Sequence, residues 1–222
     1  MKATDRELFR LMREKLYTGV ICDTLDELGY RNQAMRENVR PLAPAVADNV
    51  VGRAKTILAA DVYYVNDNPY LLEIQAIDSI RPDELVVAST NGSVRNGIWG
   101  ELLSTASKMR GAIGAIVDGL VRDTKKIAEL GFPVYAAGVK PVDSRGRGMV
   151  VDYDCPIEAG GVAVAPGDVV FADCDGVAVI PATAFEQTVM LALEKAEREN
   201  NTRTELLAGK LLREVFAKYG VL

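Results

Sequence analysis

The stretch from Gly92 to Asp123 constrains the fold most, because helix and strand signals alternate within it over a short distance. A glycine-bearing loop leads into a predicted helix, Glu101–Arg110, which Gly111 is placed to end. The apolar run 112–117 then predicts a buried strand, the Asp-Gly pair at 118–119 predicts a turn, and another helix follows. A strand between two helices is typical of layered α/β folds.

The same stretch predicts a ligand site. Ligands of open α/β layers usually bind at the carboxyl ends of strands, and the start of a helix offers free N–H groups and a positive dipole end to an anion. Arg122 and Asp123 follow the predicted strand, and a helix begins near Glu101, Leu102 and Leu103. We expect these N–H groups, the guanidinium and carboxylates for a metal to converge on a small carboxylate or 2-oxo acid.

The absence of histidine restricts the chemistry. It excludes Ser-His-Asp and Cys-His catalytic systems and imidazole-ligated zinc of the usual kind. A metal must be held by carboxylates, carbonyls and water, which select Mg²⁺, Mn²⁺ or Ca²⁺. The three cysteines, Cys22, Cys155 and Cys174, form no CxxC pair, so we expect free thiols rather than a disulfide framework or a thiolate zinc site.

Charge and hydropathy indicate a soluble class of protein. The net charge of -5 and the pI near 5.0 argue weakly against a general nucleic-acid binder. No apolar run approaches the roughly 20 residues that span a bilayer. The charged, amphipathic N-terminus has no apolar signal core, so we expect a cytoplasmic protein.

The rest of the chain has clear local signals. A capping box at residues 4–7 opens a predicted helix, and Thr18 is placed to cap a second one. The loop 140–148 is rich in Gly, Arg and Asp, and its arginines Arg145 and Arg147 face either solvent, a site or a partner subunit. Residues 149–181 predict short strands joined by PGD and DG turns. Helix is predicted for 183–219, broken at Asn200-Asn201, with little core of its own.

Several segments together resemble one family. These are GELLSTAS, GAIGAIVDGLVRD, GFPVYAAG and VAPGDVVFADCDGVAVIP, in this order, with VICDTLDELG before them and a helical tail after them. From about Tyr17 to about Leu212 the chain resembles the RraA-like family. That family includes 4-hydroxy-4-methyl-2-oxoglutarate aldolases, which also decarboxylate oxaloacetate, and the regulator of ribonuclease E activity A.

The resemblance implies an α/β fold with a ββα, phosphohistidine-swivelling-like core and N- and C-terminal helices. It implies one domain over residues 1–222, assembled into homotrimers or homohexamers with the active site between subunits. The helical arm 183–222 would pack on a neighbouring subunit. Partners would be a small 2-oxo-acid substrate and further copies of the chain, with no nucleic acid and no membrane.

The resemblance also implies roles for individual residues. Glu101, in the GELL segment, would lie near the metal as a catalytic residue, and Gly100 and Glu101 would also contact the substrate. The N–H groups of Leu102 and Leu103 would hold the pyruvate carboxylate. Arg122 would bind the 2-oxo acid.

The divalent cation, Mg²⁺ or Mn²⁺, would be held by Asp123, largely with water. A neighbour's Glu199, or alternatively Glu197, would complete that metal site.

Each of these residues also has a plain structural interpretation. Arg122 is placed for an ion pair with Asp118 or Asp123, and Asp123 is placed to cap the following helix. Glu101 is a favourable charge in a first helical turn, and Glu199 fits a solvated helix face.

The expected function is a metal-dependent aldol cleavage or decarboxylation that releases pyruvate. Neither the GELLSTAS segment nor the GAIGAIVDGLVRD segment contains a lysine, which disfavours a mechanism through a Schiff base. The first alternative is a non-catalytic ring that binds and inhibits an RNA-processing endonuclease. A further alternative is an aldolase-like or dehydratase-like enzyme for a sugar-derived oxo acid, with the same metal centre and a different distal pocket.

Overall fold

The computed structural model describes residues 4–43 and 49–221. The helices in these ranges are α1 (Asp5–Lys15), α2 (Thr18–Glu27), α3 (Leu71–Asp78), α4 (Glu101–Arg110), α5 (Thr124–Leu130), α6 (Phe185–Leu207) and α7 (Leu212–Tyr219). The strands are β1 (Arg40–Pro41), β2 (Val50–Asp61), β3 (Glu84–Ser89), β4 (Gly97–Trp99), β5 (Gly114–Val121), β6 (Val134–Val139), β7 (Gly148–Tyr153), β8 (Ile157–Ala159), β9 (Val162–Val164), β10 (Val169–Asp173) and β11 (Gly176–Ile180). None of the described helices is both long enough and apolar enough to span a bilayer.

The main sheet is mixed. Its strand order is β1-β6-β5-β3-β2-β10-β11, with β4 beside β5 and β7 beside the second half of β2. The central strands β2, β3, β5 and β6 are parallel, and α3, α4 and α5 lie on the connections between them. Parallel pairs need such crossovers. The predicted α/β fold class is confirmed, and the β-rich segment ends in the predicted β10–β11 hairpin.

Three apolar clusters form the core. One lies under α3 and α4, around Trp99 and Val117. The second joins α1, α2 and the first half of α6 to the β10–β11 end of the sheet, where Phe171 is fully buried. The third lies between the sheet and the small β8–β9 hairpin, around Tyr135. Apolar side chains therefore hold the sheet from several sides.

The C-terminal tail differs from the prediction in two ways. The first half of α6 does have a core in its own chain, because Phe185 and Val189 are buried against α1 and α2. The helix also runs unbroken through Asn200-Asn201 to Leu207. The Asn200 side chain stays on the helix surface, where its Oδ1 accepts a hydrogen bond from Arg203 at 2.6 Å.

The two N-terminal helices begin differently. The Thr4–Glu7 capping box is confirmed in α1. The predicted cap of α2 is wrong, because Thr18 is already the first helical residue and Tyr17 is the N-cap. Asp173, at the end of β10, caps α2 from a distance: it accepts the Thr18 N–H at 2.7 Å and the Thr18 hydroxyl at 2.8 Å.

Asp173→Asn is expected to lower the free energy of unfolding by about 1–3 kcal/mol, because one buried donor of Thr18 loses its charged acceptor. Asp175→Asn, in the same turn but exposed, is the matched control and is expected to change it by less than about 0.5 kcal/mol. Urea titration of both variants measures the difference. Equal destabilisation by the two would show that the contact to Thr18 does not stabilise the fold.

Candidate active site

A cleft of about 430 Å³ opens at the start of α4, beside the carboxyl end of β5. Five residues predicted from the sequence line it: Gly100, Leu102, Leu103, Arg122 and Asp123. The structure therefore brings the helix start, the guanidinium and one carboxylate to a single space. This is the edge of the sheet at which α/β proteins usually bind ligands.

Arg122 is fixed by its backbone and by two carboxylates. Its N–H donates to the carbonyl of Trp99 at 2.9 Å, which ties the end of β5 to the residue before Gly100. Its Nη2 lies 3.0 Å from Asp143 Oδ1, and its Nε lies 3.9 Å from Asp123 Oδ2. The guanidinium thus stays in the cleft wall, where it is about one third exposed.

Asp118 is not part of this cleft, the turn predicted at it is wrong, and of the two partners predicted for Arg122 only Asp123 lies within ion-pair range. The Asp118-Gly119 pair is not a turn, since β5 continues to Val121. Thr90 on the neighbouring segment holds this part of β5 by donating its hydroxyl to the Asp118 carbonyl at 2.6 Å. The Asp118 carboxylate is buried and pairs with Arg36 at 3.1 Å, so it does not pair with Arg122.

Asp123 occupies the N-cap position of α5, but its side chain makes no capping hydrogen bond. Its φ of 59° turns the carboxylate towards α4 instead, where Oδ2 accepts the Glu101 N–H at 3.4 Å. A Cβ on Gly100 would lie 2.8 Å from the same oxygen. The predicted N-cap position is therefore confirmed, the capping hydrogen bond is absent, and glycine at position 100 permits the close approach to α4.

The start of α4 is rigid and open. Trp99 donates its indole N–H to Ser104 Oγ at 2.8 Å, and Ser104 donates in turn to the Gly100 carbonyl. The N–H groups of Leu102 and Leu103, in the first turn, have no partner from the helix itself. The Glu101 carboxylate accepts a hydrogen bond from Thr105 at 2.9 Å and does not line the cleft. This position fits its interpretation as a first-turn charge.

Four polar residues of the cleft were not predicted: Tyr70, Glu73, Asp143 and Ser144. Tyr70 donates its hydroxyl to Asp143 Oδ2 at 2.5 Å. Burial raises the pKa of Asp143, but the Tyr70 hydrogen bond and the Arg122 charge outweigh it and hold that pKa below its usual range. Asp143 and Ser144 belong to the polar loop 140–148, whose composition points to its arginines rather than to these two residues.

Glu73, on α3, differs from the other carboxyl groups of the cleft. Burial, followed by the charge of Asp143, raises the pKa of Glu73 to about 7 against a smaller opposing effect of Arg122. No helix-spacing or motif argument marks this residue, because its burial depends on how α3 packs against α4 and β7.

Glu199 and Glu197 do not line the cleft of their own chain. Glu199 lies on the later part of α6, in a separate shallow pocket with Thr202, Arg203 and Leu206. Burial raises the pKa of Glu199, and Arg203 opposes the shift. A metal-binding role for either glutamate therefore requires a second copy of the chain, and it stays a prediction.

The cleft has ligands suited to a hard divalent cation. Asp123 offers a carboxylate that is not used for helix capping, and the polar side chains around it offer oxygen rather than sulfur. A second group of ligand atoms, Asp173, Cys174 and Asp175, lies in the β10–β11 turn. Both Asp173 oxygens already accept hydrogen bonds from Thr18, so that group fits a metal less well.

Comparison with known proteins agrees with this architecture. Residues 18–179 match the RraA-like family, described as Aldolase/RraA. Protein DlpA of Legionella pneumophila is 26% identical over 204 residues, which are 90% of this chain but only 32% of DlpA. A protein of Halalkalibacterium halodurans named "Putative 4-hydroxy-4-methyl-2-oxoglutarate aldolase" is 30% identical over 88% of this chain and 86% of its own length.

A solved structure extends the likeness to three dimensions. Streptomyces coelicolor RraAS2, described as an unusual member of the RNase ES inhibitor RraA protein family, superposes with a TM-score of 0.79. It is 29% identical, over 91% of this chain and 98% of its own. With the family match over most of the sequence, the conclusion is that this chain belongs to the RraA-like family.

Proposed function

We propose that this protein is a divalent-metal-dependent carbon–carbon lyase that acts on 2-oxo acids and releases pyruvate. The observation that carries the proposal is the shared cleft of Arg122, Asp123 and the open start of α4. The name of the Halalkalibacterium relative supports aldol cleavage of 4-hydroxy-4-methyl-2-oxoglutarate. Decarboxylation of oxaloacetate is the second proposed reaction, because it leaves the same three-carbon fragment.

Each group of the cleft has a role in this proposal. The N–H groups of Leu102 and Leu103 bind the carboxylate next to the 2-oxo group and fix its orientation. The planar fork of Arg122 binds the carboxylate and 2-oxo oxygens together, where negative charge develops as the C3–C4 bond breaks. Asp123 holds the cation, and Mg²⁺ or Mn²⁺ when bound polarises the 2-oxo group as a Lewis acid.

The proposed assembly is a homotrimer or homohexamer of single-domain chains, with a small 2-oxo acid as ligand. Exposed apolar residues on the C-terminal part support it, since Leu207, Leu212 and Phe216 lie on the arm without a cover in their own chain. In this assembly the arm reaches a neighbour, and Glu199 or Glu197 approaches its cleft. Glu101 acts near the cation by way of water rather than by direct contact with substrate.

Chelation is expected to lower pyruvate release at least 100-fold, because the 2-oxo group loses its Lewis acid. The assay couples pyruvate formation from 4-hydroxy-4-methyl-2-oxoglutarate and from oxaloacetate to a dehydrogenase, with Mg²⁺, with Mn²⁺ and with EDTA. Excess cation should restore the rate. Buffer containing the same cation without protein corrects for spontaneous oxaloacetate decarboxylation. Release that EDTA does not affect would contradict the metal requirement.

The alternative is a non-catalytic protein that binds and inhibits an RNA-processing endonuclease. The likeness to Streptomyces RraAS2 supports this function. It requires neither Arg122 nor a cation. Absence of pyruvate release from every substrate, together with direct inhibition of an RNase E-type endonuclease, would favour it over the lyase.

A further inference from the structure

The polar groups of the cleft follow one another in a fixed order. Beginning at the start of α4, the Glu101 N–H bonds Asp123, Asp123 lies beside Arg122, Arg122 pairs with Asp143, and Asp143 accepts the Tyr70 hydroxyl. Glu73 lies one helical turn beyond Tyr70. If the start of α4 and Arg122 hold the pyruvate end of a substrate, its other end faces Tyr70, Glu73 and Asp143.

This distal wall is acidic. Among the described residues that line the cleft, Arg122 is the cation, and Glu73, Asp123 and Asp143 are carboxyl groups. Arg122 already pairs with Asp143 and is the group expected to bind the 2-oxo acid. Arg145 is a nearby cation whose charge acts on Tyr70, but its side chain is exposed and does not line the cleft.

Glu73 is the carboxyl group of this wall that a ligand can engage. Asp123 accepts the Glu101 N–H, and Asp143 binds both Tyr70 and Arg122. For Glu73, within residues 4–43 and 49–221, the structure shows no hydrogen bond and no ion pair, only the charges of Asp143 and Arg122 nearby. The half-buried carboxyl group of Glu73 is therefore free to accept a hydrogen bond from a ligand hydroxyl group.

We propose that Glu73 determines substrate specificity and that the preferred substrate is a 4-hydroxy-2-oxo acid whose distal end is uncharged and hydroxylated. This inference rests on the proposed lyase function and narrows its substrate class: 4-hydroxy-4-methyl-2-oxoglutarate and oxaloacetate, which carry a second carboxylate, would be slower substrates of the same site. Hydroxyl groups donate hydrogen bonds to a carboxylate, whereas a distal substrate carboxylate would face both Glu73 and Asp143. Like charges a few ångströms apart in a partly desolvated site weaken binding by about tenfold or more.

The reaction balances without another reactant. The C3–C4 bond breaks, the C4 hydroxyl loses its proton, and C4 becomes the carbonyl carbon of a hydroxylated aldehyde. The bonding electrons remain with the three-carbon fragment, which gains a proton at C3 and leaves as pyruvate. A proton is therefore moved from O4 to C3, with no net oxidation or reduction.

Two substrates of equal length separate the effect of charge from that of size. These are 4,5-dihydroxy-2-oxopentanoate, with a distal CH₂OH group, and 4-hydroxy-2-oxoglutarate, with a distal carboxylate. The test measures kcat/KM for pyruvate release from each with saturating Mg²⁺, in the wild type, in Glu73→Gln and in Arg145→Gln. Thermal denaturation checks that each variant is folded.

The wild type is expected to prefer the dihydroxy acid at least tenfold at pH 8, and Glu73→Gln is expected to lower that ratio at least threefold, with Asp143 still present. Because the pKa of Glu73 is about 7, its negative charge is mostly absent at pH 6 and mostly present at pH 8. The ratio should therefore rise with pH in the wild type and stay flat in Glu73→Gln. The charged groups that act on Glu73 are Asp143 and Arg122, and the pKa of Asp143 lies below its usual range, so Asp143 stays charged over this range.

Other outcomes overturn the inference separately from the function. Wild-type preference for 4-hydroxy-2-oxoglutarate would overturn it while leaving the lyase intact, and loss of that preference in Arg145→Gln would assign specificity to Arg145 instead. An unchanged ratio in folded Glu73→Gln would also overturn it. Release of no pyruvate from either acid or from oxaloacetate would instead refute the lyase proposal itself.

Discussion

Arg122→Lys is expected to lower kcat/KM for pyruvate release by about 100- to 1,000-fold while the protein stays folded. Lysine keeps the positive charge but loses the planar fork that binds two substrate oxygens, and removing one such donor commonly costs this much. Lysine also has no nitrogen at the position of Arg122 Nε, which lies 3.9 Å from Asp123 Oδ2. Steady-state kinetics with Mg²⁺ on each proposed substrate measures the loss.

Arg110→Lys is the matched control for this substitution. Arg110 also pairs with an aspartate, Asp78 at 3.3 Å, but both side chains are more than half exposed and neither lines the cleft. Exposed ion pairs contribute little to stability, so this variant should match the wild type in both activity and melting temperature. Turnover by Arg122→Lys within about threefold of the wild type would refute the role given to Arg122.

Gly100→Ala is expected to reduce activity at least 100-fold and to weaken Mn²⁺ binding measurably. The added Cβ would lie 2.8 Å from Asp123 Oδ2 and 3.2 Å from Arg122 Cγ, so both side chains must move. The φ of Gly100 is -148°, which alanine adopts without strain, so the backbone itself tolerates the change. Displacement of catalytic groups by about 1 Å can cost 100-fold in rate.

Gly19→Ala serves as its control. Gly19 lies in α2, away from the cleft, and its new Cβ would contact only the edge of the Tyr17 ring at 3.3 Å. Kinetics and Mn²⁺ titration of both variants, beside thermal denaturation, distinguish a local effect on the site from general destabilisation. If Gly100→Ala matches Gly19→Ala in all three measurements, the positions of Asp123 and Arg122 do not require glycine at position 100, and the prediction is wrong.

Local signals predicted the parts of the fold that local interactions determine. The Thr4–Glu7 capping box and the β10–β11 hairpin depend on residues a few positions apart, and both formed as predicted. The Asp118-Gly119 pair has an equally clear turn signal, yet it lies inside β5. Strands on both sides of β5 and the Thr90 hydroxyl extend it, and none of these contacts is visible in a short window of sequence.

The residues of the candidate site also fall into those that a local sequence pattern predicts and those that only the folded chain brings together. Arg122, Asp123 and the start of α4 belong to one contiguous stretch with a recognisable motif, and the structure places them around one cleft. Glu73 and Asp143 reach it from α3 and from the loop before β7, which meet only in the folded chain. The metal-binding role of Glu199 depends on the cleft of a neighbouring copy of the chain, so this role stays a prediction.

The contact between Asp173 and Thr18 joins groups 155 residues apart. The apolar cluster around α1 and α2 likewise needs Phe171, Ile180 and Val189 before it closes. During synthesis on the ribosome, the apolar faces of α1 and α2 therefore stay exposed to solvent until most of the chain has been made. We expect chaperones to bind the nascent chain mainly during that interval. The interval ends when β10, β11 and α6 pack against α1 and α2.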